Sequence, residues 1–303
     1  MPRNYRRRQV AEGPALILVQ RASALDLPDD LLASCDALIC DPPYSPRVHD
    51  RAYSCNPQGR DSAAEHRDLG FAYLSRALRV ALARATGLVR RWSVVFSDVE
   101  GSTAWRIACE VRGAEHIRAV PWVRWSQAQL TGDRPPSGCE LVNVFHRRGP
   151  DGPRGGVGRP LPKAWNGPGN LVSLDVPDLL DAACLRGREK YSCEKPLDLV
   201  LALVSYFSEP GETVLDPTCG AGTTGQACRI LGRDALLCDT SAAAVARTQA
   251  RLEAPLDARD RERLARWVES HVALASMPLH DPVAGGPRRA RQLRDVELAM
   301  RWM

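Results

Sequence analysis

Between Glu212 and Asp239 the chain carries the pattern that most narrows its fold: strand, glycine turn, helix, and a second strand closing on an acid. The apolar run Thr213-Val-Leu stops on Asp216, passes through Pro217-Thr-Cys-Gly220-Ala-Gly222, and opens a helix near Thr223. Glycines let the backbone approach a ligand closely, and the free N–H groups of a helix N-terminus suit a carboxylate or a phosphate. Ala235-Leu-Leu-Cys238 is the next strand and ends on Asp239, 17 residues beyond Gly222. An acid at that distance, on the neighbouring strand, is placed to take both hydroxyls of a ribose. The turn is read as a Gly-x-Gly pair rather than the three-glycine dinucleotide fingerprint, and no Gly-Lys-Ser/Thr follows. Both NAD and ATP are thereby disfavoured.

The same alternation recurs upstream. Residues 15–25 and Ala37-Leu-Ile-Cys40 read as strands, with a helical turn around Leu27 to Ser34 between them. Apolar residues at helical spacing run from Phe71 to Thr86, with Gly87 as the expected stop. Trp92-Ser-Val-Val-Phe96 is a buried-type strand, Ser102 to Gly113 a helix, and Leu197 to Phe207 a helix entered through Lys195-Pro196. Repeated strand–helix alternation predicts an α/β, doubly wound, mostly parallel sheet. Ile117 to Trp125 and Cys139 to Phe145 are two further strands, and the tail after Ser241–Leu252 holds two helical segments around Pro282 to Pro287.

A second motif lies far upstream of the glycine turn. The strand ending at Cys40 runs into Asp41-Pro42-Pro43-Tyr44. An exocyclic amine of a nucleobase is a poor nucleophile, because its lone pair is delocalised into the ring. The Asp41 carboxylate and the Pro42 carbonyl can each accept one of its N–H bonds and free that lone pair. Prolines at 42 and 43 hold the carbonyl in one direction, and Tyr44 offers a flat face to a base swung out of its helix.

Two long stretches lack a core pattern. Ser45 to Asp68 carries four arginines, including Arg47 and Arg51, against four acids, and reads as a flap or an insertion. His146 to Asn170 holds seven glycines, five prolines and five basic residues, Arg147, Arg148, Arg154, Arg159 and Lys163, with Trp165 and one acid. A flexible basic loop of this kind suits a phosphate backbone. The formal net charge of +5 permits nucleic-acid binding. No apolar run reaches membrane-spanning length, and the ten cysteines include no Cys-x-x-Cys pair, so the thiols are read as reduced and no metal is expected.

Taken together, the motifs and their order resemble the permuted, or β-class, DNA amino-methyltransferases. In that family Asp-Pro-Pro-Tyr comes first, a target-recognition region follows, then a Lys-Pro helix, then Asp-Pro-x-x-Gly-x-Gly-Thr-Thr. The resemblance spans roughly residues 15–252 and implies a seven-stranded, Rossmann-like sheet with an inserted target-recognition region. It implies S-adenosylmethionine as methyl donor, S-adenosylhomocysteine as product, and double-stranded DNA as substrate. Adenine N6 is the first choice of acceptor because the Asp-Pro-Pro-Tyr form goes more often with adenine, and cytosine N4 is the alternative. A non-catalytic DNA-binding module retaining the fold is the rival from another class. Asp41, Pro42, Pro43 and Tyr44 become the catalytic set. Lys195, Asp216, Thr218, Gly220, Gly222, Thr223, Thr224 and Asp239 become cofactor residues, although Thr218 stands where the family commonly has phenylalanine. The expected divisions are a basic arm (1–14), a catalytic half (15–116), a target-recognition region (117–189), a cofactor half (190–254) and a helical extension (255–303). A cytoplasmic enzyme of a bacterial or phage-infected cell, possible as a homodimer, is the accompanying expectation.

Overall fold

The structure is a computed structural model, and it describes residues 15–50, 53–54, 65–66, 71–123, 139–148, 171–172, 193–276 and 294–303. Strands β1 (Ile17–Arg21), β2 (Ala37–Cys40), β5 (Trp92–Ser97), β9 (Thr213–Asp216) and β10 (Asp234–Asp239) form its parallel half. Strands β6 (Ala114–Val123) and β7 (Cys139–Arg147) extend the sheet, with β7 antiparallel to both β5 and β6. The order is β1-β10-β9-β2-β5-β7-β6, and a two-residue strand β8 (Leu171–Val172) pairs with β6 at the edge. A short helix α2 (Pro46–Asp50) follows β2, and a hairpin, β3 (Tyr53–Ser54) with β4 (Glu65–His66), forms a separate two-stranded sheet.

Side chains alternate across the strands, and each face buries its own apolar set. Leu38, Cys40, Val95, Leu215, Leu236 and Cys238 pack beneath α1 (Asp29–Ser34), α3 (Arg76–Leu88) and α4 (Gly101–Val111). Ile39, Val94, Phe96, Val214, Ala235 and Leu237 face α5 (Leu197–Phe207) and α6 (Thr223–Leu231). A sheet covered on both faces needs continuous apolar strands, as the fully buried Ala-Leu-Ile-Cys of β2 provides. Helix α7 (Ala242–Glu253), capped by the Ser241 hydroxyl on the Ala244 N–H at 3.3 Å, lies beside β1 and β10.

Four differences from the sequence reading have physical causes. Strands β6 and β7 belong to the central sheet, so no break in the fold occurs at residue 117. Sheet pairing decides this, and no local pattern reveals it. Helix α3 begins at Arg76, where the Ser75 hydroxyl accepts from the Leu78 N–H at 3.1 Å, rather than at Phe71. It runs through Gly87 to Leu88, so Gly87 is not its stop. A Cβ at Gly87 would lie 1.9 Å from the Arg112 carbonyl oxygen, so close backbone approach explains the glycine. Finally, the described parts of the 255–303 extension belong to the core. Leu264, Trp267 and Val268 of α8 (Ala258–Ser276) and Val296 and Ala299 of a helix over 294–300 join the α5–α6 face. Two buried ion pairs lock it there: Arg263 to Asp198 at 2.8 Å, and Arg233 to Asp295 at 2.6 Å. Among the described residues, no helix is long and apolar enough to cross a membrane.

Candidate active site

The two motifs meet because their strands are neighbours. Leu38 of β2 pairs with Leu215 of β9, so Asp216 and Asp41 close adjacent parallel strands at the same end of the sheet. Crevices at the carboxyl ends of such strands are where doubly wound sheets bind ligands.

Around Asp41 the structure assembles more than the tetrapeptide. Its Oδ2 accepts a hydrogen bond from Lys195 Nζ at 2.5 Å, while its Oδ1 is shielded from solvent and has no hydrogen-bond partner. Lys195 sits just before α5, and Pro196 is that helix's N-cap residue. A second carboxylate completes the group: Glu140 Oε2 lies 3.2 Å from Lys195 Nζ and accepts from the Tyr44 hydroxyl at 2.5 Å. The ammonium also lies 5.4 Å from the Tyr44 ring centroid, 5.1 Å from Phe96 and 5.8 Å from Trp122, within cation–π range. Burial pushes the Asp41 carboxyl above the usual carboxylate range; Lys195 opposes this, Glu140 adds to it, and the nearby Tyr44 hydroxyl also acts to lower it. Burial acts to lower the Lys195 ammonium, but Asp41 and Glu140 together outweigh it and hold the group charged.

The glycine turn is braced by backbone and side-chain bonds. Gly220 and Gly222 take φ of 50° and 78°, a left-handed geometry that favours glycine. A Cβ at Gly222 would also meet the Thr248 side chain at 2.7 Å. Thr248 Oγ1, from α7, donates to the Gly220 carbonyl at 3.0 Å. Asp239 accepts from the Gly220 N–H at 3.0 Å and the Ser241 N–H at 2.9 Å, one bond on each oxygen, and a carboxylate has lone pairs left for further donors. Asp216 accepts from the Thr218 N–H at 3.1 Å and from the Thr224 hydroxyl, yet burial still raises it to about 7. Thr218 Oγ1 is shielded from solvent without a hydrogen-bond partner. Arg251 ties the turn to the catalytic side: it bonds the Thr223 hydroxyl at 3.0 Å, the Ala221 carbonyl at 3.2 Å and Glu194, next to Lys195, at 2.8 Å.

Gly225 corrects the reading of this turn as a glycine pair. Gly220, Gly222 and Gly225 make a Gly-x-Gly-x-x-Gly run. A Cβ at Gly225 would lie 2.4 Å from Leu237 Cδ1, so this third glycine permits close packing of α6 on β10. Glycine count therefore does not exclude a dinucleotide. The sheet order argues against one instead, because the antiparallel β7 replaces the all-parallel 3-2-1-4-5-6 arrangement.

The expected DNA contacts divide. Arg47 is held by Glu100 through two hydrogen bonds of 2.7 and 2.6 Å on the exposed surface. Arg147 ends β7 and Arg148 follows it; Leu141 of that strand lies beside Ser97 and His146 beside Trp92, so both arginines occupy the opposite end of the sheet from Asp41. Arg147 donates to the Leu88 carbonyl there. Arg51, Arg154, Arg159, Lys163 and Trp165 lie outside the described residues, as does most of the expected flap. Glu140, Phe96, Trp122, Thr248 and Arg251 were missed. Of these, only Glu140 carries a signal in hindsight, an acid directly before the apolar pair Leu141-Val142.

A protein family described as DNA methylase matches residues 154–250, about a third of the chain. No curated protein matches it in sequence. Among solved structures, the chain resembles the M1.HpyAVI–SAM complex at 19% identity and a TM-score of 0.53, covering 79% of this chain and 100% of that one. It also resembles PvuII DNA methyltransferase, described as cytosine-N4-specific, at 14% identity and a TM-score of 0.51, covering 86% of this chain and 95% of that one. The chain thus has an α/β, Rossmann-like fold of the kind found in these methyltransferase structures.

Proposed function

We propose that this protein is a DNA methyltransferase that uses S-adenosylmethionine and acts on the N6 amine of a flipped-out adenine in double-stranded DNA. The carrying observation is Asp41 Oδ1, a solvent-shielded acceptor without a hydrogen-bond partner, at the end of a strand next to the one that leads into the glycine turn. An acceptor left bare in that position suits an N–H donor brought by substrate. The DNA methylase match over residues 154–250 supports the same reading.

The residues present fit the cofactor: the left-handed Gly220–Gly222 turn, Asp239 and the partnerless Thr218 hydroxyl would hold it, with Asp216 beneath. S-adenosylmethionine, when bound, supplies an electrophilic methyl group on a sulfonium. The chain supplies alignment, an effect worth up to roughly 7–11 kcal/mol in favourable cases. Asp41 Oδ1 and the Pro42 carbonyl accept the two N–H bonds of the amine and direct its lone pair. Tyr44 stacks on the extruded base. The methylated amine then carries one proton too many, and Asp41, lifted by burial, is placed to receive it at Oδ1. Burial raises the Cys219 thiol in the turn and the Cys40 thiol beside Asp41, which suits neither to covalent attack.

Cytosine N4 is the second reading, because that amine presents the same two N–H bonds and the cytosine-N4-specific PvuII enzyme shares the fold. The test incubates purified protein with labelled S-adenosylmethionine and unmethylated DNA, then analyses the nucleosides by mass spectrometry. N6-methyladenine supports the proposal, and N4-methylcytosine selects the second reading. Asp41→Ala should cut transfer by roughly 10²–10³-fold or more while cofactor affinity in calorimetry stays near wild type. Transfer at a wild-type rate in that variant would remove Asp41 from the mechanism.

A further inference from the structure

We infer that Glu140 is a positioning residue of this site: it fixes the Tyr44 ring and shares the Lys195 ammonium, so that Asp41 keeps one oxygen bare for substrate. The inference rests on the reading of Asp41 and Tyr44 given above.

Glu140 comes from β7, beside Trp122 of β6, while Tyr44 follows β2 and Lys195 precedes α5. One oxygen of Glu140 therefore joins three separate parts of the fold, at 2.5 Å to the Tyr44 hydroxyl and 3.2 Å to Lys195 Nζ. Side-chain exposures of 14% for Glu140 and 9% for Lys195 place these bonds in a weakly screened environment. A tyrosine ring used as a stacking platform must hold its plane, and a hydrogen bond at its far end restrains it. Lys195 has two carboxylates to serve. Were Glu140 absent, its ammonium would rest on Asp41 alone and draw on both oxygens of that acceptor.

The charged and titratable groups facing Asp41 are Lys195, Glu140, the Tyr44 hydroxyl, Asp216 of β9 and Cys40 of β2. Removing the negative charge of Glu140 lowers the proton affinity of Asp41, because a like charge goes and Lys195 is released to it.

The test compares wild type with Glu140→Gln and Glu140→Leu. The amide oxygen of glutamine still accepts from Tyr44, so Glu140→Gln isolates the charge. Its expected signature is a fall in the Asp41 midpoint, read by ¹³C carboxyl NMR on the cofactor-free protein. The acid limb of kcat/KM against pH should move the same way. Glu140→Leu also frees the ring and should lower kcat/KM for DNA by roughly 10²-fold, with cofactor affinity retained. An unmoved Asp41 midpoint in Glu140→Gln overturns the inference, whether or not Glu140→Leu folds. A moved midpoint in a protein that methylates no DNA upholds the arrangement and defeats the functional reading instead.

Discussion

Asp216 is 3% exposed, and burial lifts its carboxyl to about 7, far above the roughly 3.9 of an unfolded chain. The folded state therefore holds this proton more tightly than the unfolded one. Its contribution to stability is fully present below about pH 4 and is lost as the pH rises to about 7, at about 1.4 kcal/mol per unit at most. Asp216→Asn carries no such penalty. In urea unfolding, that variant should gain stability relative to wild type between pH 5 and pH 7.5, and a constant difference would contradict the assigned burial. At this scale the sequence was partly legible. Asp41, Tyr44, Asp216 and Asp239 stand in motifs whose order and spacing announce them. Glu140 and Arg251 do not, since each reaches the site from an element whose place is decided by tertiary pairing. Gly225 was legible in the Gly-x-Gly-x-x-Gly spacing and was passed over.

Among the elements, α3 shows how packing overrides propensity. Alanine is favoured over glycine in a helix interior by about 1 kcal/mol. At Gly87, however, a Cβ would stand 1.9 Å from a backbone oxygen of the α4–β6 turn, where nothing flexible can yield. Overpacking of this kind costs typically about 1–3 kcal/mol, so Gly87→Ala should destabilise the protein despite its better propensity. A raised thermal midpoint in that variant would show the contact to be slack. The strands flanking Asp41 and Asp216 were readable because strands buried on both faces leave continuous apolar runs. The membership of β6 and β7 in the same sheet was not, because an antiparallel insertion between β5 and β6 leaves no local trace.

Across the whole molecule, the chain's last segment returns to the sheet it left. Arg233, just before β10, meets Asp295 with both side chains fully buried, and Ser205 of α5 donates to the same carboxylate at 2.6 Å. Removing one partner from such a pair strands a charge and costs about 3–5 kcal/mol. Asp295→Ala should lower the urea midpoint accordingly, and wild-type stability would mean that the C-terminal helix is dispensable. What this packing supports is the end of the sheet at which β2 and β9 close side by side on Asp41 and Asp216. The most direct test expresses wild type and Asp41→Ala in a methylation-deficient host. Its genomic DNA is then sequenced by a method that resolves N6-methyladenine from N4-methylcytosine. The account predicts one recurrent sequence carrying methylated adenine in the wild-type host and none in the variant. Unmodified DNA from cells holding folded wild-type protein would contradict it.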